Sequence, residues 1–134
     1  MYKQYQYFPV VQVPKIPLIN QTTRLDESNT LLKLKSLYAF QDPKVSQFLS
    51  NHPAIMDVLL QALPYITKYF GDKSKVILEI FRDRESSSII EQLFANIEND
   101  LPIDEALDHL SSLTHEWYLT LPADTRKLFN LDVL

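Results

Sequence analysis

The chain of 134 residues contains one glycine, Gly71. Walker and Rossmann phosphate loops need several glycines to bring backbone against a pyrophosphate, so no such loop can be built here. Gly71 follows an apolar periodic stretch ending in Tyr69-Phe70, which predicts a helix stopped by glycine at the left-handed position a C-terminus favours. Cysteine is absent. That removes thiol nucleophiles, disulfides and Cys-based zinc sites, and it fits a reducing compartment.

Eight prolines set most of the boundaries. Pro9, Pro14 and Pro17 lie too close together for a helix, so residues 1–24 read as an extended arm on a single domain spanning 25–134. Val10, Val11, Val13, Ile16, Leu18 and Ile19 make the arm apolar, and an apolar strand left free invites aggregation. The arm is therefore expected to pack on its own domain or on another chain. Its interface candidates are Tyr5, Tyr7, Phe8, Val11, Val13 and Ile16. The run Tyr2-Lys3-Gln4-Tyr5-Gln6-Tyr7-Phe8 mixes aromatics with a cation, as single-strand nucleic-acid binders do, but one lysine is too little charge for that role.

Beyond the arm, residues 28–40 suggest a short helix. Asp42-Pro43 restarts the chain into a second helix over 43–50, with Val45, Phe48 and Leu49 inward. Pro53 opens a longer helix to Phe70, striped by Ile55, Leu59, Leu63, Ile66 and Phe70. Pro64 lies inside it and removes the hydrogen bond to the Leu60 carbonyl. Residues 75–82 alternate as a strand, with Val76, Leu78 and Ile80 on one face and Ile77, Glu79 and Phe81 on the other. Residues 83–88 read as a connecting loop. Residues 89–98 fit a helix, aided by a Ser88–Glu91 capping box, or a strand with Leu93, Ala95 and Ile97 on one face. A last long helix over 102–121 would bury Ile103, Ala106, Leu107, Leu110, Leu113, Trp117 and Leu121. Residues 127–133 form a candidate terminal strand.

From Asp42 onward the order of these motifs resembles that of a group of small, uncharacterised bacterial and archaeal proteins. Asp42-Pro43-Lys44-Val45, His52-Pro53, Tyr69-Phe70-Gly71, Val76-Ile77-Leu78-Glu79-Ile80, Gln92-Leu93-Phe94, Leu101-Pro102-Ile103-Asp104-Glu105-Ala106-Leu107 and His115-Glu116-Trp117-Tyr118-Leu119 carry the resemblance. It implies a layout of helices, a strand pair, a helix and a final strand, which favours strand for 92–98, and it implies no activity. The expected fold is α+β: a three-stranded sheet of 75–82, 92–98 and 127–133 packed on helices 53–70 and 102–121.

Charge is unevenly spread. Residues 1–24 carry +3, residues 25–90 are neutral, and residues 91–134 carry −7. The acidic end repels phosphate backbones and argues against nucleic acid there, while a basic partner is favoured. Asp100, Asp104 and Glu105 also sit where a helix N-terminus favours negative charge. No apolar run approaches the ~20 residues of a membrane span, and Met1–Tyr7 lacks a signal-peptide core, so the cytoplasm is the expected location.

The possible reactive sets are thin. Glu105, His109, Ser112 and Glu116 share a helix face and contain the residue types of a triad. A triad also needs a buried acid and an oxyanion hole, and a solvated face with an i,i+4 Glu–His pair explains the same residues. His109 and His115, with Asp108 or Glu116, would be metal ligands, but six residues place the histidines about 120° apart on a helix. Arg82-Asp83-Arg84-Glu85 reads as a solvated turn. Trp117 and Tyr118 could line a pocket, although the spacing puts Trp117 in the core.

The chain is thus expected to be a non-catalytic interaction protein without cofactor or metal. Its partner would be a protein, with the chain acting as a small antitoxin-like inhibitor, or a second copy in a homo-oligomer. Two other classes compete. A metal-dependent hydrolase or nuclease would bring Glu79, Asp83, Glu91, Glu98 and Asp100 together, and a small-ligand binder would hold an apolar pocket near Pro64.

Overall fold

The computed structural model describes residues 16–83 and 90–134, with side chains over 27–82 and 90–134. Two stretches of chain, one on each side of a central antiparallel strand pair, each add an outer strand, and their helices pack on the same sheet face. The order is α1 (Ile16–Leu37), β1 (Ala39–Phe40), α2 (Lys44–Asn51), α3 (Pro53–Phe70), β2 (Lys75–Asp83), β3 (Ile90–Glu98), α4 (Ile103–Glu116), a 3₁₀ turn (Tyr118–Thr120), α5 (Ala123–Leu128) and β4 (Phe129–Val133).

The fold is α+β, with a four-stranded mixed sheet in the order β1-β2-β3-β4. The outer pairs are parallel and the central β2–β3 pair is antiparallel. The register puts Val76 opposite Ile97, Leu78 opposite Ala95 and Ile80 opposite Leu93. It then aligns Leu93 with Phe129, Ala95 with Leu131 and Ile97 with Val133. These side chains line one face, where Leu78, Leu93, Ala95, Ile97 and Phe129 are fully buried against Leu34, Leu49, Leu59, Leu113 and Trp117 of the helical layer.

Several elements depart from the sequence reading. Residues 16–24 belong to α1 and are not extended, since Pro17 occupies the second helical position, where its missing N–H has no intrahelical partner to lose. β1 is an additional strand. It is two residues long, too short to show alternation, and Gln41 N–H extends the pairing to the Leu78 carbonyl at 2.9 Å. Residues 90–98 are strand, as the resemblance implied for 92–98 and against the local helical spacing. Glu91 does not cap a helix; its carboxylate pairs with Arg82 directly across the hairpin at 2.8 Å. Pairing on both sides of β3 outweighs its local preference.

The last helix divides. α4 ends at Glu116, where Trp117 leaves helical geometry at φ −128°; Pro122 has no N–H for the Tyr118 carbonyl, which accepts instead from Leu121 N–H at 3.1 Å in a tighter turn. Pro122 then precedes α5, so Lys127 and Leu128 are helical and the terminal strand starts at Phe129. Ile103 and Leu107 face solvent, at 59% and 49% exposure, so the buried stripe of α4 is narrower than predicted.

Other local signals hold. The Asp42 carboxylate accepts from Lys44 N–H at 2.8 Å at the entry to α2, and Pro53 opens α3. Gly71 ends α3 with φ 85° and ψ 162°. This is a mirror-extended conformation reserved for glycine, rather than the left-handed helical one. Tyr38 packs under α3, and its hydroxyl donates to the Leu59 carbonyl at 2.6 Å. Burial pushes the Tyr38 pKa far above the ordinary tyrosine range, so it remains a donor. Tyr38→Phe is expected to cost about 1 kcal/mol, read by chemical denaturation with an unchanged slope.

Candidate interaction surface

The helices cover one face of the sheet, and alternation along the strands turns a second set of side chains the other way. Lys75, Ile77, Glu79 and Phe81 of β2 lie on this second face. They are joined by Gln92, Phe94, Asn96 and Glu98 of β3 and by Asn130 and Asp132 of β4. Phe81 is 53% exposed. Its ring meets Phe94 edge-on at 5.8 Å. Phe94 stands opposite Glu79 in the register, so the aromatic contact is diagonal across β2 and β3. A second diagonal in the same sense joins Asn96 to Glu79, whose carboxylate accepts from the Asn96 amide. That bond satisfies Asn96, which is only 7% exposed. The face therefore combines an accessible aromatic pair and Ile77 with three carboxylates, Glu79, Glu98 and Asp132, against one lysine, Lys75.

The β4 edge of the sheet is partly closed. Leu134 N–H donates to the Ile97 carbonyl, so even-numbered backbone groups of β4 face β3 and odd-numbered ones face outward. Two outward groups already have partners: the Phe129 carbonyl accepts from Tyr118 hydroxyl at 2.6 Å, and Val133 N–H donates to the Asp132 carboxylate at 2.8 Å. Burial, opposed by the nearby Arg126 charge, raises the Tyr118 pKa and keeps that hydroxyl protonated. Such satisfied groups blunt an edge against strand addition. The broad face is the more accessible of the two.

The sequence-predicted polar set on α4 proves to be a tie between helices. Glu116 accepts from Lys68 Nζ at 2.8 and 2.9 Å and from the Tyr69 hydroxyl. His109 Nδ1 lies 2.6 Å from the Tyr69 carbonyl; the carbonyl can only accept, so this nitrogen carries the proton. His109 Nε2 lies 4.0 Å from Glu105. Ser112 is exposed on the same helix. The set joins α3 to α4 and makes no nucleophile–base pair.

Lys68, followed by Tyr69, holds the Glu116 pKa below its ordinary value, and the Glu116 hydrogen bond raises the pKa of Lys68. The depressed carboxylate contributes stability above its unfolded pKa, and this is lost as pH falls through the folded value. The raised lysine contributes below its unfolded pKa, and this is lost as pH rises through the folded value. Both effects are expected to be small and salt-sensitive because the pair is exposed. Comparing acid unfolding of the parent and Glu116→Gln at low and high salt checks this: the difference should shrink with added salt.

The acids considered for a hydrolase are dispersed. Glu79 bonds Asn96 on the open face, Glu91 pairs with Arg82, and Glu98 and Asp100 border a cleft of about 240 Å³ that also holds Lys73 and Lys75. The Asp83 side chain lies outside the described residues. No three His, Cys, Asp or Glu among the described residues are placed to share a metal ion. His115 Nδ1 is 2.8 Å from the Ser111 carbonyl. Trp117 is core, stacked on Tyr65 at 5.6 Å. Pro64 is exposed, and the clefts lined by the described residues do not border it.

Of the interface candidates in the arm, Tyr5, Tyr7, Phe8, Val11 and Val13 lie outside the described residues, and Ile16 is the first residue of α1. Sequence reasoning had the face in view as the second alternation of β2, but not its size. That required β3 to be a strand, and it required all the helices to stack on the opposite side. Among the described residues no helix is long and apolar enough to cross a membrane. Comparison with models of protein families, with curated proteins and with solved structures gives no match.

Proposed function

We propose that this chain is a non-catalytic protein-interaction domain that uses as its contact surface the sheet face that no described helix covers. The observation that supports this most is the exposed Phe81, held edge-on against Phe94 in a field of carboxylates. Aromatic side chains of this kind are typical anchors at the centre of protein interfaces, and charge around them selects the partner. Glu79, Glu98 and Asp132 favour a polypeptide segment that is apolar and basic. Nucleic acid is disfavoured by the same charges.

Phe81→Glu should abolish retention of the partner when the tagged chain is purified from its native cell at low salt, while Gln61→Glu on the exposed side of α3 should retain it. Loss of one hot-spot aromatic corresponds to about 2 kcal/mol or more, a drop in affinity of roughly 30-fold. Equal retention by both variants, or a parent chain that is strictly monomeric and alone, would remove this reading.

A further inference from the structure

We infer that the flank of α4 turned away from α3 is a second docking surface, and that its occupant is a basic amphipathic helix of a partner protein, laid beside α4 over the β4 edge. This surface lies on the helical side of the sheet, opposite the face that carries Phe81. The inference does not depend on the reading of that face.

Position comes first. Glu116 and His109 join α4 to α3 through Lys68 and Tyr69. Ala106 and Leu113 point into the core. At about 100° per residue, Ala106 and Leu113 lie about 60–80° round the helix from Ile103, and His109 and Glu116 about 120–140° from it in the same sense. Leu107 and Leu110 stay within about 40° of Ile103. These three residues therefore form a stripe on the side of α4 that α3 does not reach. α4 contacts β4, and β4 is the edge strand of the sheet. There Leu131 and Val133 share the helical side with the buried Ala95 and Ile97, yet both are only half-buried. Ile103 is 59% exposed and Leu107 49%. Among the described residues the helical layer ends at α4, and no helix covers the strip between its apolar stripe and β4.

Shape then selects a helix. Ile103, Leu107 and Leu110 follow the i, i+4, i+7 spacing that receives the apolar face of a neighbouring helix, and they span about two turns. An added strand is disfavoured, because the outward Phe129 carbonyl and Val133 N–H of β4 already have partners.

Charge selects the partner. α4 carries Asp104, Glu105, Asp108 and Glu116, and no lysine or arginine stands between Arg84 and Arg126. Asp104 and Asp108 lie about 100–140° from Ile103 on the side away from the core, so they border the stripe along its solvent edge. A helix seated on the stripe meets these carboxylates with its own polar positions, which lysine or arginine satisfies. A second copy of α4 would bring like charges together.

The test uses the full chain and a fluorescent model helix of about 18 residues, built of leucine and lysine with leucine at helical spacing. Fluorescence anisotropy measures binding, and NMR maps the amides that shift. The expected result is saturable binding that weakens with salt and shifts centred on Ile103, Leu107, Leu110 and Val133. Leu107→Glu should lower affinity by roughly 10-fold or more, and Ile103→Glu should do the same. Both positions are exposed, and fluorescence of the buried Trp117 confirms folding. Phe81→Glu should bind the probe like the parent. A peptide of the same composition with leucine and lysine alternating at strand spacing should bind at least 10-fold more weakly. Unchanged affinity in both α4 variants, shifts centred on β2 and β3, equal binding of the two peptides or no binding at all would each overturn the inference. Sedimentation of the chain alone should show no dimer sensitive to Leu107→Glu; such a dimer would assign the flank to a second copy and overturn it too.

Discussion

Replacing Phe129 with alanine should destabilise the domain by about 3–5 kcal/mol, the largest single loss we expect. Phe129 is fully buried at the point where α5 becomes β4. It stands beside Leu93 in the parallel register and meets Trp117 edge-on at 6.5 Å and Tyr118 at 6.3 Å. Truncation opens a cavity bounded by a central strand and two aromatic rings, none of which can move inward without giving up its own packing. Against a typical total of 5–15 kcal/mol, the loss is large. The midpoint of thermal unfolding should fall on the order of 10–20 °C. Trp117 is the only tryptophan and is buried, so its fluorescence reports the transition. A shift of only a few degrees would show that the contact between sheet and helices at this corner contributes little.

Pro64→Ala should act in the opposite direction and raise stability by roughly 1–3 kcal/mol. Pro64 sits in the interior of α3 on its solvent side, while Leu59, Ala62 and Ile66 beneath it are buried. It deprives the Leu60 carbonyl of its i+4 donor, whereas alanine restores that bond without entering the core. A helix bends with its convex side to solvent, which is the side on which the proline lies, and this geometry explains why the residue is tolerated. Tyr38 adds its bond to the neighbouring Leu59 carbonyl and fastens the turn just before the break. Urea unfolding should show a higher midpoint with unchanged slope. A lower midpoint would mean that the core is fitted to the helix as Pro64 shapes it.

Much of this architecture is legible wherever one local rule acts alone. Pro53 and Gly71 bound α3, Asp42-Pro43 starts α2, and the alternation Val76, Leu78, Ile80 orients β2 correctly. Local rules fall short mostly where a partner distant in sequence decides. Residues 90–98 carry a helical spacing and even a capping pair, and they become a strand only because β2 and β4 flank them. β1 exists through its bonds to β2. Ile103 and Leu107 fit the α4 stripe by periodicity, yet no described element covers them. Pro17 argues against helix when counted with Pro9 and Pro14, and it is harmless at the start of α1.

The second face of the sheet was half legible for the same reason. Ile77, Glu79 and Phe81 could be assigned to a common face from β2 alone. That no described helix covers this face, and that Phe94 and Asn96 complete it diagonally, follows from the register and from the layer topology. The polar residues of α4, which resemble a reactive set in one dimension, are resolved by α3: Lys68 and Tyr69 take Glu116, and the Tyr69 carbonyl takes His109.

Photo-crosslinking from position 81 tests the central claim most directly. A photoreactive phenylalanine analogue replaces Phe81 in the full chain, and another replaces Gln61 on α3. Both are irradiated in the cell and the products mapped by mass spectrometry. The account predicts discrete products from position 81 that join it to an apolar, basic segment of a partner polypeptide, and none from position 61. Reaction with solvent alone at position 81, or the same products from both positions, would contradict it.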